Sequence, residues 1–219
     1  RILKVDIIPR FSMNTSFADI EKKENRKDLI ISICVFLSGF SCFAQLYYFQ
    51  PLLPDLAKDF ILSASESSFA ISFSTLGMVF GLFTTMFVAD RIPRKKMIGT
   101  GLLSSSIFSV AASFSPTFLP LILLSAAKGF LLSGATSVSM AYIAEEVSSR
   151  NKGKIMGLYI AGNALGGMAG RVISSWIGAL YTWRIASVSI GLICALFAIL
   201  FLLFSPRSTN FMPRKESFH

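Results

Sequence analysis

The sequence predicts an all-α polytopic membrane bundle of six transmembrane helices, and three observations predict it. Hydrophobic residues make up 53% of the 219 and charged residues only 15%, where a soluble domain carries about a quarter charged. Six separate windows are apolar over the roughly 20 residues that a helix needs to cross hydrocarbon: Leu29–Phe49, Ser68–Ala89, Met97–Phe114, Phe118–Ile143, Ile155–Leu180 and Ile185–Phe204. The cations fall almost entirely in alternate connections between these windows, which fixes an orientation.

Each element has its own local signals. The first 28 residues mix acids and bases ahead of a full-length span, unlike a secretory signal or an acid-poor transit peptide. They form an expected cytoplasmic segment, 1–28, in which Met13 is a candidate natural start. The bundle itself is expected over 29–205 and a cytoplasmic tail over 206–219. Ser63-Ala-Ser-Glu66 has capping-box spacing before the second span. Ser115-Pro116 is expected to cap the fourth with a proline at its first helical position. Ser205-Pro206 ends the sixth.

Of 21 Lys and Arg residues, 17 lie in segments that share a side with the N-terminus, whereas only Lys58 and Arg184 lie on the other side. Both termini are therefore expected in the cytoplasm and the chain in the plasma membrane. The remaining two cations, Lys128 and Arg171, lie within spans. Composition also excludes function classes. The one histidine is His219, so no Ser-His, Cys-His or histidine-metal arrangement can operate inside the membrane. Cys34, Cys42 and Cys194 lack CxxC spacing and read as small buried hydrophobes. No Walker loop is present, and no aromatic-studded basic stretch suggests nucleic acid. No metal or other cofactor is expected.

Helical spacing sorts the polar residues onto stripes. Ser38, Ser41, Gln45 and Tyr48 share a face of span one, Ser68, Ser72 and Thr75 a face of span two, and Asn163, Gly167, Arg171 and Ser175 a face of span five. Such stripes avoid lipid and either line a wet cavity or bond neighbouring helices. Gln45, Tyr48, Lys128, Asn163 and Arg171 are the expected cavity residues. Lys128 and Arg171 both lie near the midplane, where a charge costs about 2.5–3.5 kcal/mol. Two such cations with no acid beside them suit a solute bearing an acidic group. The blander account has Arg171 snorkelling and Lys128 neutral. Gly77 and Gly81, and Gly162, Gly166 and Gly170 with Gly167, have the small-xxx-small spacing of close helix contacts.

The loop after span two, Asp90-Arg91-Ile-Pro-Arg94-Lys95-Lys96, resembles the G-x-x-x-D-R-x-G-R-K loop of the major facilitator superfamily. Met86 and Pro93 stand at its two glycine positions. Gly162-Asn163-Ala-Leu-Gly166-Gly167 is similar to the G-P-x-x-G-G antiporter motif of exporters in that superfamily, with Asn163 at the proline. Gln50-Pro51-Leu-Leu-Pro54, Tyr142-Ile-Ala-Glu145-Glu146 and Tyr181-Thr-Trp183-Arg184 resemble its arabinose-efflux and drug-exporter branch.

The resemblance covers Leu29 to about Phe211. It implies the N-terminal half of a twelve-span fold, a gating role for Asp90, Arg91, Arg94 and Lys95, and a second six-span half meeting the glycine seams. It also implies a secondary transporter, not an enzyme, that exports a small organic solute such as a drug, sugar or organic anion by proton antiport. Its partners are then the lipid bilayer, the solute, protons and the second half. Span four carries Ser125 where the family has an arginine, and no acid lies inside any span, so proton coupling comes from the resemblance alone. The alternatives are a membrane subunit of an ATP-driven transporter, a six-span intramembrane enzyme and a non-transporting association module.

Overall fold

The computed structural model describes residues 10–209, with side chains from residue 22 onward. Residues 1–9 and 210–219 lie outside the described residues, and with them the question of Met13 and most of the tail. The helices run α1 (Arg10–Tyr47), a 3₁₀ turn (Gln50–Leu52), α2 (Leu53–Asp59), α3 (Ala64–Ser67), α4 (Phe69–Val88), α5 (Arg94–Ser113), α6 (Phe118–Glu146), α7 (Lys152–Leu180) and α8 (Trp183–Phe204). Among the described residues there is no strand. The six long helices match the six apolar windows to within a few residues at nearly every end.

One end differs widely. α1 begins at Arg10, so the segment expected only as a cytoplasmic lead-in is helical and continuous with span one. No Gly or Pro occurs from Arg10 to Ser38, and the polar part is rich in Glu, Lys and Arg, which lose little freedom in a helix. At the other end Pro51 cannot donate to the Tyr47 carbonyl, so the helix stops there and turns. Pro54 then sits inside the first turn of α2, where a missing N–H is harmless.

The caps follow the sequence in two cases out of three. Ser63 accepts from the Glu66 N–H at 3.2 Å and its own N–H reaches Glu66 Oε2 at 2.8 Å, completing the capping box. It opens the short α3, with α4 following directly. Ser205 takes an extended conformation and ends α8 ahead of Pro206. Before α6 the expectation is corrected: Thr117 is the N-cap, without a side-chain hydrogen bond, and Ser115 is buried. Pro116 therefore precedes the cap, because the extended Thr117 (φ −133°) delays the first helical residue to Phe118.

Side by side, the helices follow the order α4, α6, α5, α8, α1, α7, with α1 and α6 also touching across the middle. Four segments, Lys22–Asp59, Ala64–Val88, Phe118–Glu146 and Trp183–Phe204, are long and apolar enough to cross a membrane. α5 and α7 are as long but more polar. α5 carries Ser105, Ser106, Ser109 and Ser113, all buried, each donating to a carbonyl three or four residues back. That habit satisfies a hydroxyl without water.

Candidate functional site

The end of α1 places two consecutive tyrosines against two cations from distant parts of the chain. Successive helical residues differ by about 100° in direction, so Tyr47 and Tyr48 face different neighbours. Tyr48 is fully buried, and its hydroxyl lies 2.8 Å from Ser187 Oγ of α8. Lys128 of α6 comes to the same place. Its Nζ is 4.5 Å from the Tyr48 ring centroid and 4.9 Å from that of Phe49, within cation–π range. Lys128 is 1% exposed, and its Nζ has no hydrogen-bond partner among the described residues. One turn earlier on α1, Gln45 is buried and its Oε1 lies 3.1 Å from Ser109 Oγ of α5, whose single proton is shared between it and the Ser105 carbonyl.

Tyr47 faces the other way, toward α7. The Arg171 guanidinium carbon lies 4.4 Å from its ring centroid. Arg171 Nε donates to Gln50 Oε1, and Nη1 to the Gly167 carbonyl at 3.4 Å. Ser174, one turn on, donates to the Tyr48 carbonyl at 2.8 Å, which α1's ending has left without a helical partner. Arg171, Tyr47 and Gln50 are all half-buried. The five expected cavity residues thus divide. Gln45, Tyr48 and Lys128 lie in the bundle interior among α1, α5, α6 and α8. Arg171 lies on the open side of the α1–α7 pair. Asn163 is half-buried two turns below Arg171, its Oδ1 turned onto Gly39 of α1. Three of the four residues of the span-one stripe, Ser41, Gln45 and Tyr48, bond neighbouring helices, with Ser41 Oγ reaching the Cys194 carbonyl at 3.3 Å, whereas Ser38 Oγ is buried without a partner among the described residues.

The glycine seams close within this half. A Cβ at Gly162 would lie 2.6 Å from the Phe36 carbonyl oxygen, one at Gly166 would overlap Phe40 backbone, and one at Gly170 would lie 2.7 Å from Ala44 Cα. All three neighbours are on α1. Gly77 and Gly81 meet Ala126 and Phe130 of α6 in the same way. Gly167 alone has ordinary clearance, with Tyr47 Cδ2 at 3.4 Å. Five of the six, Gly77, Gly81, Gly162, Gly166 and Gly170, thus have their bare faces filled by α1 or α6 within this half. Gly39 and Gly129 supply the reciprocal close approaches and were not singled out from the sequence, since neither belongs to a four-residue repeat.

At the end of the bundle that carries the α4–α5 connection, Arg94 joins three elements. It donates to the Ala89 carbonyl at 2.6 Å and pairs with Asp90 and with Glu145 of α6, each at 3.2 Å. Lys95 donates through Nζ to the Ser205 carbonyl and through its N–H to Ser208 Oγ. Partial desolvation pulls the Lys95 ammonium below the ordinary lysine value. Arg91 is exposed. Two further acids act here. Glu146 accepts from Lys27 and from Thr209, each at 2.9 Å, and Asp28 accepts from Ser148 and Asn151 across the α6–α7 connection. On the opposite end Arg184 binds Asp59 at 2.9 Å and the carbonyls of Ser113 and Ser115. Tyr47, Gln50 and Glu145 carry contacts the sequence could not assign. Gln50 and Glu145 stand in family-like strings, whereas Tyr47 carried no signal.

Comparison with known proteins completes the picture. The model of the Major Facilitator Superfamily matches residues 32–218. An uncharacterized transporter of Buchnera aphidicola subsp. Schizaphis graminum is 38% identical over 200 residues, 91% of this chain and 48% of the relative. The inner membrane transport protein YnfM of Escherichia coli K12 is 36% identical over 183 residues, 84% of this chain and 44% of the relative. The uncharacterized MFS-type transporter YybF of Bacillus subtilis 168 is 33% identical over 185 residues, 84% of this chain and 46% of the relative. The chain spans about half the length of these curated relatives. With an all-helical bundle and a family match across nearly its whole length, the chain belongs to the major facilitator superfamily.

Proposed function

We propose that this chain is the N-terminal six-span half of a secondary transporter that exports a small organic solute by proton antiport. Transport is carried by one observation: the family match runs from residue 32 to 218. Export and antiport rest on the likeness of Gly162-Asn163-Ala-Leu-Gly166-Gly167 to the antiporter motif of exporters. In this reading α5 and α7 also cross the plasma membrane, inside the bundle rather than facing lipid all round, and both termini are cytoplasmic. The half-buried side of α1 and α7, bearing Arg171, Tyr47 and Gln50, faces a second six-span half across the solute path. Asp90, Arg91, Arg94 and Lys95 form the loop that opens and closes the cytoplasmic side.

The test uses everted membrane vesicles containing the whole gene product. An imposed inward-acidic gradient should drive accumulation of at least one solute from a panel of anionic, neutral and cationic compounds. Collapse of the gradient with a protonophore should abolish that accumulation. Accumulation of none of the three classes, with the protein present in the membrane, would reject the transporter reading. Accumulation that ignores the protonophore would reject antiport alone.

A further inference from the structure

We infer that Arg171, held by Tyr47 and Gln50, is an anion-binding subsite for an organic acid with a flat apolar body; this rests on the transporter reading above. Depth comes first. Arg171 lies nine residues before the outer end of α7 at Leu180, roughly 14 Å at 1.5 Å per residue. That is near the middle of a core about 30 Å thick. A charge at that depth has to face protein, water or ligand.

The guanidinium is oriented but not neutralised. Its Nε edge is taken by the Gln50 side-chain oxygen, and one face lies on the Tyr47 ring. Among the described residues, Nη1 makes only the 3.4 Å contact to the Gly167 carbonyl and Nη2 makes no hydrogen bond. Among the described residues no carboxylate pairs with Arg171. Both fixed partners are uncharged, so the full positive charge stays available on the Nη side. That side presents paired N–H donors in the plane that matches a carboxylate.

The surroundings say what else the ligand carries. Gly167, one turn before Arg171, is buried, with Tyr47 Cδ2, Arg171 Nη1 and Phe43 Cβ 3.4, 3.9 and 3.9 Å from where its Cβ would be. The Phe43 and Tyr47 rings stand 6.0 Å apart along the same flank of α1. These two half-buried rings form a wall that accepts a flat apolar group beside the carboxylate. Lys128 does not share this subsite. It is enclosed on the other side of α1 by Tyr48 and Phe49.

The probes are benzoate, benzamide and benzylamine, which share a ring and differ in charge. Equilibrium dialysis against the purified whole gene product should give benzoate at least about tenfold tighter binding than either other probe, as expected for one charge-assisted bidentate contact. Arg171→Gln should erase that preference, and Arg171→Lys should keep part of it. Gln50→Glu separates binding from folding. Its carboxylate would pair with Arg171 internally, so benzoate binding should fall about tenfold while the thermal midpoint holds or rises. Equal or tighter binding of benzamide or benzylamine overturns the inference, as does absence of saturable benzoate binding. Undiminished benzoate binding in Gln50→Glu overturns it too. Benzoate binding without vesicle flux of any solute class would keep the subsite and reject transport. Flux of neutral or cationic solutes alone would do the reverse.

Discussion

The Lys128 ammonium lies 4.5 Å from the centroid of the Tyr48 ring, inside a bundle where its side chain is almost wholly enclosed. One residue earlier, Tyr47 receives Arg171 at 4.4 Å from the opposite flank of α1. The end of α1 is therefore gripped by a cation on each side, from α6 and from α7, and among the described residues no acid pairs with either. This end joins the long helix to α2 through the 3₁₀ turn at Gln50–Leu52.

An enclosed ammonium without a hydrogen bond contributes little to stability, since the ring contacts must offset its desolvation. Lys128→Met keeps the chain length and removes the charge. It should insert normally and hold or raise the thermal midpoint of the purified protein. Lys128→Ala leaves a void and should lower stability by about 2–4 kcal/mol. A Met variant clearly less stable than the parent protein would show that the charge itself is structural.

Gly166→Leu should break the α1–α7 contact, because a side chain there runs into Phe40 backbone. Folded yield should fall steeply, as for over-packed sites that cost roughly 1–3 kcal/mol or more. Gly157→Ala, where nothing lies within 4 Å, should be harmless. Comparing detergent-stable yield of the two variants by size-exclusion chromatography checks this. Equal yields would mean that the seam is not tightly closed.

Arg94→Gln removes the partner of Asp90 and Glu145 and the donor to the Ala89 carbonyl. The Asp90 and Glu145 carboxylates are partly solvated, so the expected loss is nearer about 2 kcal/mol than the figure for a fully buried pair. Protease cleavage of the α4–α5 connection from the cytoplasmic side should speed up. Arg91→Gln, at an exposed position, should leave the cleavage rate unchanged.

Single cysteines at Lys58, Lys95 and Lys152, in a background without Cys34, Cys42 and Cys194, report topology. The proposed orientation requires labelling by an impermeant maleimide from outside at position 58 and protection at 95 and 152. Strong outside labelling at 95 would reverse or break the six-span arrangement.

The sequence by itself determined the helices, their order and the family. Apolar length, capping residues and prolines act within a few residues of the chain, so Ser63-Glu66, Pro51 and Ser205-Pro206 mark their own boundaries. The lead-in helix from Arg10 was equally local but masked by its polarity. Which residues meet was decided by the tertiary structure. The four-residue spacing of Gly162, Gly166 and Gly170 announces a close contact yet cannot name the partner. Phe36, Phe40 and Ala44 became that partner because α1 and α7 pack side by side. Likewise Lys128 and Arg171 are equivalent by depth and charge in the sequence. They part only because a 100° turn between Tyr47 and Tyr48 sends one cation into the interior and leaves the other on the open face.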